Sequence, residues 1–220
     1  MGNRCVIVLS DNDVILKLAQ CDLIQYLPEI LNENQNDIFV SPTARFQLLP
    51  GNIERAIKKC GSKEVYERVG HFLSNVQTIS DIKNEQLLQQ LDEIPHIDSG
   101  EQQLLASCVE NPGSLFMTGD KRCLQAVMTH KKIVATVHAK LINSVVTFES
   151  ALLLSVELLG FSNFQMQIKQ NPNMDGVLNI AMRSTEHKEV CECLFSYTRD
   201  LYDYLAFKDR LPAQDAFLIM

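Results

Sequence analysis

The sequence lacks the features that mark secreted and membrane proteins. No apolar run approaches the roughly 20 residues that a membrane-spanning helix needs. The first residues, MGNRCVIVLS, contain an apolar run that is too short for a secretory signal peptide. We therefore expect a cytoplasmic protein with no membrane-spanning segment.

Basic residues are also in deficit. The chain has 20 Lys and Arg against 27 Asp and Glu, and its formal net charge is −7. This balance excludes a global basic footprint for nucleic acid, so any such site must be a local patch. With 220 residues, 46% of them apolar, the chain is long enough for one globular core, or for a core and a small appendage.

The cysteines do not form a disulfide or zinc pattern. There are seven, an odd number, and no secretory signal accompanies them, so we expect free thiols in a reducing compartment. His187, Cys191 and Cys193 suggest a metal site, but their spacing matches no common zinc pattern and a second ligand pair is missing. We interpret these cysteines as small apolar residues on a helix.

Short apolar runs alternate with helical patterns through residues 1–160. This alternation predicts an α/β domain, with a parallel β-sheet flanked by helices. The apolar stretch from Leu141 to Leu159 is predicted to be helical and to stop at Gly160. The five predicted strands are Val6–Leu9, Ile38–Val40, Val76–Ile79, Leu115–Met117 and Ile133–Val137.

Residues 161–220 are predicted to form a C-terminal helical extension. Asn163 to Asp175 is polar and contains Asn-Pro-Asn, which indicates a loop. Glu186 to Phe207 carries an apolar stripe at helical spacing. Because exposed stripes of this kind usually mark contacts, we expect the extension to pack on the α/β core or to form a subunit interface in a homo-oligomer. The final PAQDAFLIM is either an edge strand or a partner-binding tail.

Three acidic residues lie at predicted strand-to-helix junctions or helix starts. Asp11 follows the first strand, Glu101 opens a helix, and Asp120 follows the strand LFM and the residues Thr-Gly. Parallel strands end at one edge of a sheet, where ligands of such folds bind. Three carboxylates packed there raise one another's pKa unless a cation joins them. The set therefore favours a metal site.

Each acid also has a purely structural interpretation. Asp98 and Glu101 match the D-x-x-E capping box, in which both side chains accept hydrogen bonds from backbone N–H groups. Asp11 or Asp13 can cap the first helix, and Asp120 is stabilised by the dipole of the last one. For any single acid, capping and metal binding both stay open.

Four segments follow one another along the chain: DNDVILKLAQCDLIQYLPEIL, VSPTARFQLL, DSGEQQLLA and SLFMTGDKRCL. In this order they resemble segments of the PIN domain, a family of metal-dependent ribonucleases, and the resemblance covers roughly residues 5–160. It implies that Asp11, Glu101 and Asp120 are catalytic and bind Mg²⁺ or Mn²⁺, with Asp13 and Asp98 contributing through water. The substrate it implies is RNA, cleaved by phosphodiester hydrolysis.

One position departs from the family pattern. The second segment usually supplies a Glu where this chain has Gln47, whose neutral carbonyl oxygen is a poorer ligand for a hard cation. Two functions therefore stay open. One is a metal-dependent ribonuclease, toxin-like and restrained by a protein partner or inhibitor. The other is a catalytically weakened or inactive PIN-like domain that binds nucleic acid or protein.

Basic residues cluster in two places. Residues 121–140 contain no Asp or Glu and begin beside Asp120, so this window is the predicted RNA-phosphate contact. Within this window, two cations directly follow Asp120 and two more are adjacent near its middle. These predicted RNA-contacting residues are Lys121, Arg122, Lys131 and Lys132. No aromatic stripe for base stacking accompanies them. A second group, interpreted as a solvated helix face, comprises Arg55, Lys58, Lys59, Lys63 and Arg68.

Overall fold

A five-stranded, all-parallel β-sheet forms the centre of the fold. The structure is a computed structural model that describes residues 8–169 and 175–212. The strand order is β3-β2-β1-β4-β5, which confirms the predicted α/β class. The strands are β1 (Val8–Ser10), β2 (Ile38–Val40), β3 (Gln77–Thr78), β4 (Leu115–Thr118) and β5 (Val145–Thr147).

Helices cover both faces of the sheet, and alternate strand residues point into two separate apolar layers. In β1, Val8 packs into the first layer and Leu9 into the second. The first layer is built on α1 (Asn12–Gln20), α2 (Leu27–Leu31), α3 (Ala44–Leu48), α4 (Ile53–Cys60), α5 (Lys63–Asn75) and α10 (Phe148–Leu159). The second is built on α6 (Glu85–Asp92), α7 (Ser99–Glu110), α8 (Lys121–Thr129) and α9 (Ala135–Leu141).

The fifth strand is not where the sequence pattern placed it. The predicted strand Ile133–Val137 is wrong, because Val134, Val137 and Leu141 are buried at helical spacing and α9 covers most of this stretch. Asn143, with φ of 56°, turns the chain after α9. The helix predicted from Leu141 to Leu159 is wrong at its start, because Val145–Thr147 form β5, which pairs in parallel with β4. α10 begins only at Phe148, with the Thr147 side chain as its N-cap.

The C-terminal segment also differs from its predicted secondary structure. Helix α11 (Phe161–Lys169) occupies most of the predicted loop 163–175, and residues 170–174 lie outside the described part. The predicted helix 186–207 is divided into α13 (His187–Ser196) and a 3₁₀ helix, Arg199–Tyr204. Helix α12 (Gly176–Ala181) precedes them. The predicted edge strand or tail, PAQDAFLIM, begins at Pro212, and the rest of it, residues 213–220, lies outside the described range.

These C-terminal helices pack on the α/β core within the same chain. Phe164, Val190 and Leu194 are fully buried and belong to the same apolar cluster as α1, α2 and α10. The backbone N–H of Ala206 donates to the carbonyl of Val145 at 2.8 Å, which ties the end of the segment to β5. None of the helices described has both the length and the apolar character needed to cross a bilayer.

Candidate metal centre

The carboxyl ends of β1 and β4 place two of the acids side by side. The strands pair in register up to Ser10 and Met117, and the backbone N–H of Asp11 donates to the carbonyl of Met117 at 2.9 Å. Asp11 is the N-cap of α1, and Asp120 is the N-cap of α8. The parallel pairing of two central strands is therefore what brings these helix starts together.

A cavity of about 380 Å³ opens at this edge. All six residues predicted to bind or support a metal line its wall, and two cations join them. The six are Asp11, Asp13, Gln47, Asp98, Glu101 and Asp120, and the cations are Lys17 and Arg122. The cavity is accordingly rich in oxygen donors, the ligand type that Mg²⁺ and Mn²⁺ prefer.

Two of the acids have strongly raised pKa values. Burial raises the pKa of Glu101 to about 7, and the charges of Asp11, Asp98 and Asp120 add to the shift. Burial likewise raises the pKa of Asp11 to about 6, with contributions from the Asp13 and Asp98 charges. These carboxyl groups ionise reluctantly because burial disfavours their charged forms and the neighbouring carboxylates repel the added charge.

The Glu101 side chain also has a structural role. Its Oε2 accepts a hydrogen bond from the backbone N–H of Asp98 at 2.9 Å, and Asp98 Oδ1 accepts one from the backbone N–H of Glu101 at the same distance. This reciprocal pair is the predicted capping box at the start of α7. Glu101 therefore holds the start of α7 with Oε2, and its carboxylate also interacts with the thiol of Cys123.

Asp120 is already paired with a cation. Arg122 Nη2 donates to Oδ2 at 2.8 Å, Arg122 Nε donates to Oδ1 at 3.2 Å, and the backbone N–H of Arg122 donates to Oδ1 at 2.8 Å. Burial alone would raise the pKa of Asp120, but the hydrogen bonds and charge of Arg122 outweigh it and lower that pKa. A metal ion would have to compete with this guanidinium for Asp120.

Lys17 and Gly119 contribute to the site, although sequence analysis did not identify them. Lys17 Nζ lies 2.9 Å from Asp13 and 3.1 Å from Asp175, so it links α1 to the start of α12. A Cβ at Gly119 would lie 2.2 Å from Asp13 Oδ2, so only glycine lets the β4–α8 turn approach α1 this closely. The available signals were the i, i+4 spacing of Asp13 and Lys17 and the glycine beside Asp120.

Gln47 lies on the cavity wall and is engaged by Asn12, another residue missed from the sequence. Asn12 Nδ2 donates to Gln47 Oε1. The other end of the amide, Asn12 Oδ1, is buried and has no hydrogen-bond partner within the described residues. A buried acceptor without a partner is costly, so this oxygen fits a water or cation bound in the cavity.

The predicted RNA-contacting lysines and arginine are not gathered in one place. Arg122 lines the cavity, but Lys121 turns away from it and pairs with buried Glu149 at 2.7 Å. Lys121 Nζ also donates to the carbonyl of Tyr197 and lies 4.9 Å from that residue's ring centroid. Lys131 and Lys132 are exposed in the turn after α8, about 14 Å along the helix from its start.

The donor set fits a hard divalent cation, but it is not assembled as a coordination shell. Within residues 8–169 and 175–212, no three His, Cys, Asp or Glu side chains are arranged to hold a metal ion. Mg²⁺ needs only one or two direct carboxylates and keeps several waters. Asp11 and Glu101 are the acids with unbalanced charge, so they are the ones best suited to direct contact.

No family model, curated protein or solved structure matches this chain. The resemblance to the PIN domain therefore stays a prediction, which depends on the four sequence segments.

Proposed function

We propose that this protein is a ribonuclease that uses Mg²⁺ or Mn²⁺ to hydrolyse RNA phosphodiester bonds. One observation carries the proposal. Asp11, Glu101 and Asp120 come from three separate parts of the chain and line one cavity at the carboxyl edge of the parallel sheet. Burial there raises the pKa values of Asp11 and Glu101, so the site has a net need for positive charge.

The residues on the cavity wall divide into two chemical roles. Asp11 and Glu101 would hold the cation directly, with Asp13, Asp98 and the Asn12 carbonyl oxygen accepting hydrogen bonds from the waters around it. When bound, Mg²⁺ or Mn²⁺ supplies water activation and neutralises charge on the scissile phosphate. Arg122 reaches the cavity with a largely exposed guanidinium, which suits a phosphate once it leaves Asp120.

The cysteines support a proposal about the compartment in which the protein acts. All six described cysteines are free thiols, which fits a reducing compartment. We therefore propose that the protein acts in the cytoplasm. A cytoplasmic ribonuclease has access to the cell's own RNA, so restraint by a protein partner belongs to the same proposal.

A second function is favoured by the bonds that the acids already make. Asp120 is neutralised by Arg122, Glu101 closes a capping box, and Gln47 supplies an amide in place of a carboxylate. A domain whose acids serve only as helix caps and ion-pair partners would bind nucleic acid or protein without cleaving RNA.

Metal binding and RNA cleavage together separate the two functions. We would titrate the protein with Mn²⁺ by calorimetry at pH 8, where Asp11 and Glu101 are ionised, and follow cleavage of a labelled single-stranded RNA. A ribonuclease binds Mn²⁺, cleaves the RNA, and loses both activities in Glu101→Gln. The control Glu67→Gln removes a charge of the same type from an exposed face of α5 and should change neither activity. A parent protein that binds no Mn²⁺ and leaves the RNA intact would contradict the ribonuclease proposal.

A further inference from the structure

An exposed aromatic side chain stands beside the cavity. Phe46 is 76% exposed, and it directly precedes Gln47 on the short helix α3. A single exposed apolar residue needs no explanation by itself. The neighbours of Phe46 make it informative, because Gln47 lines the cavity wall and exposed cations lie on α3 and on the following helix α4.

Helix α4 brings its cations next to α3. Lys59 Nζ donates to the backbone carbonyl of Gln47 at 2.5 Å, so the end of α4 lies against the residue that borders the cavity. An ammonium has three donors, and two of them remain for other partners. Arg55 precedes Lys59 by four residues and therefore shares its side of α4. Arg45, also exposed, directly precedes Phe46.

The charge of this region is opposite to that of the whole protein. Residues 44–60 contain four basic residues and one acidic residue, Glu54, whereas the chain carries a net charge of −7. All four basic residues are exposed, and they are Arg45, Arg55, Lys58 and Lys59. A local positive surface of this kind, on an acidic protein, suits a polyanion that must approach an acidic cavity.

We infer that Phe46, Arg45, Arg55 and Lys59, together called the α3–α4 surface, bind single-stranded RNA and lead it to the cavity. The inference deepens the proposed ribonuclease function. It rests on that function for one step, which is that the bound RNA continues into the cavity. Phe46 stacks on an unpaired base, and the three cations contact phosphates on either side of it. In the sequence, the cations of α4 resembled only a solvated helix face; the contact between Lys59 and Gln47 is what places them at the site.

Single-stranded RNA fits this surface better than a duplex or a protein does. An exposed aromatic ring offers its face to an unstacked base, and bases inside a duplex are already stacked on one another. A protein-binding surface of similar size would present a contiguous apolar patch with few charges at its centre. Here the two exposed large apolar residues of residues 44–60, Phe46 and Ile53, are accompanied by four exposed cations.

The basic window at 121–140 is less suited to guide RNA. Lys121 is occupied by Glu149 and Tyr197, and Lys131 and Lys132 lie at the far end of α8. Two members of the α3–α4 surface, in contrast, adjoin Gln47 on the cavity wall: Phe46 precedes it in the chain, and Lys59 donates to its backbone carbonyl.

The test measures RNA binding without cleavage. We would titrate the full-length protein into a fluorescein-labelled oligouridine in EDTA and record fluorescence anisotropy at several salt concentrations. Phe46→Leu keeps an apolar side chain but removes the stacking face, and it should weaken binding about tenfold. Phe46→Tyr restores the ring and should bind within about twofold of the parent.

The cations are tested through the salt dependence of the same binding. Arg55→Gln and Lys59→Gln should each weaken binding and lower the slope of log K against log salt by about 0.7, the value for one lost phosphate contact on a single strand. Lys188→Gln, on an exposed face of α13, is the matched control and should leave the slope unchanged. Circular dichroism would establish that each variant is folded.

The outcomes separate this inference from the proposed function. RNA binding that depends on Phe46, with no cleavage in Mn²⁺, would support the inference and contradict the ribonuclease proposal. Mn²⁺-dependent cleavage with equal RNA affinity in Phe46→Leu and the parent would overturn the inference alone. A parent that binds no RNA in EDTA would also overturn it, and would favour a protein partner for the α3–α4 surface.

Discussion

Asp11→Asn should make the folded protein more stable at neutral and alkaline pH. The pKa of Asp11 rises from 3.8 to about 6 on folding, mainly through burial, with added repulsion from Asp13 and Asp98. The folded state thus holds the Asp11 proton more tightly than the unfolded chain does. The stability of the parent must therefore fall as pH rises through the window from about 4 to 6, and the loss is complete above it.

The magnitude follows from the size of the shift. About two pKa units at 1.36 kcal/mol each correspond to roughly 3 kcal/mol, so we expect a gain of about 2 kcal/mol for a neutral isostere. Asparagine caps helices as well as aspartate does, so the start of α1 is preserved. For a chain of this size, the gain corresponds to a rise in Tm of roughly 5 °C.

Thermal unfolding followed by circular dichroism, at pH 4 and pH 8 in EDTA, provides the measurement. Asp11→Asn should melt higher than the parent at pH 8 and close to it at pH 4. Asp120→Asn is the control with the opposite sign. Arg122 lowers the pKa of Asp120, so its charge stabilises the fold at pH 8, and its loss should lower the Tm. If Asp11→Asn melts lower than the parent at pH 8, Asp11 is not an unbalanced anion and the argument for a cation at this site fails.

Three further substitutions test individual contacts of the site. Gln47→Glu adds a carboxylate at the cavity wall, so calorimetry should show tighter Mn²⁺ binding. The metal-free variant should melt lower because the added carboxylate repels the other acids. Unchanged Mn²⁺ binding with a lower Tm would contradict the metal site. Arg122→Gln removes the guanidinium from Asp120, while the backbone N–H of residue 122 still donates to Oδ1. It should also tighten Mn²⁺ binding, whereas equal affinity would show that Asp120 is not a ligand. Lys121→Met leaves Glu149 buried without its cation, which should cost about 3 kcal/mol in urea unfolding. Adding Glu149→Gln should restore most of that loss, and a double variant as unstable as Lys121→Met would exclude the ion pair as the cause.

The sequence predicted the central part of the sheet well because those strands have a distinctive composition. Val8, Leu9 and Phe116 belong to continuous apolar runs, which is what burial on both faces of a parallel sheet requires. β5 was missed because Val145–Thr147 is only three residues long and joins directly to the apolar helix α10. No periodicity separates so short a buried strand from a buried helix.

The sequence predicted the acids of the candidate site but not the cations that pair with them. The acids follow strands or open helices, so their approximate position follows from parallel topology alone. The positions of the surrounding cations do not follow from that topology. Lys17 pairs with Asp175 across 158 positions of the chain (175 − 17), and Lys121 pairs with Glu149 through the placement of β5, which the sequence did not reveal. Tertiary contacts of this kind leave no local pattern in the residues that make them.

The same two lysines determine how the C-terminal segment relates to the site. Lys17 lies on α1, which Asp11 caps, and Lys121 is the first residue of α8, which Asp120 caps. Each lysine bonds to a residue beyond position 160: Lys17 to Asp175, and Lys121 to the carbonyl of Tyr197. Two of the three helices that present acids to the cavity, α1 and α8, are thus braced by the C-terminal segment. Although the resemblance to the PIN domain ends near residue 160, the electrostatics of the candidate site extend past it, so the α/β part alone would present the same acids on less firmly held helices.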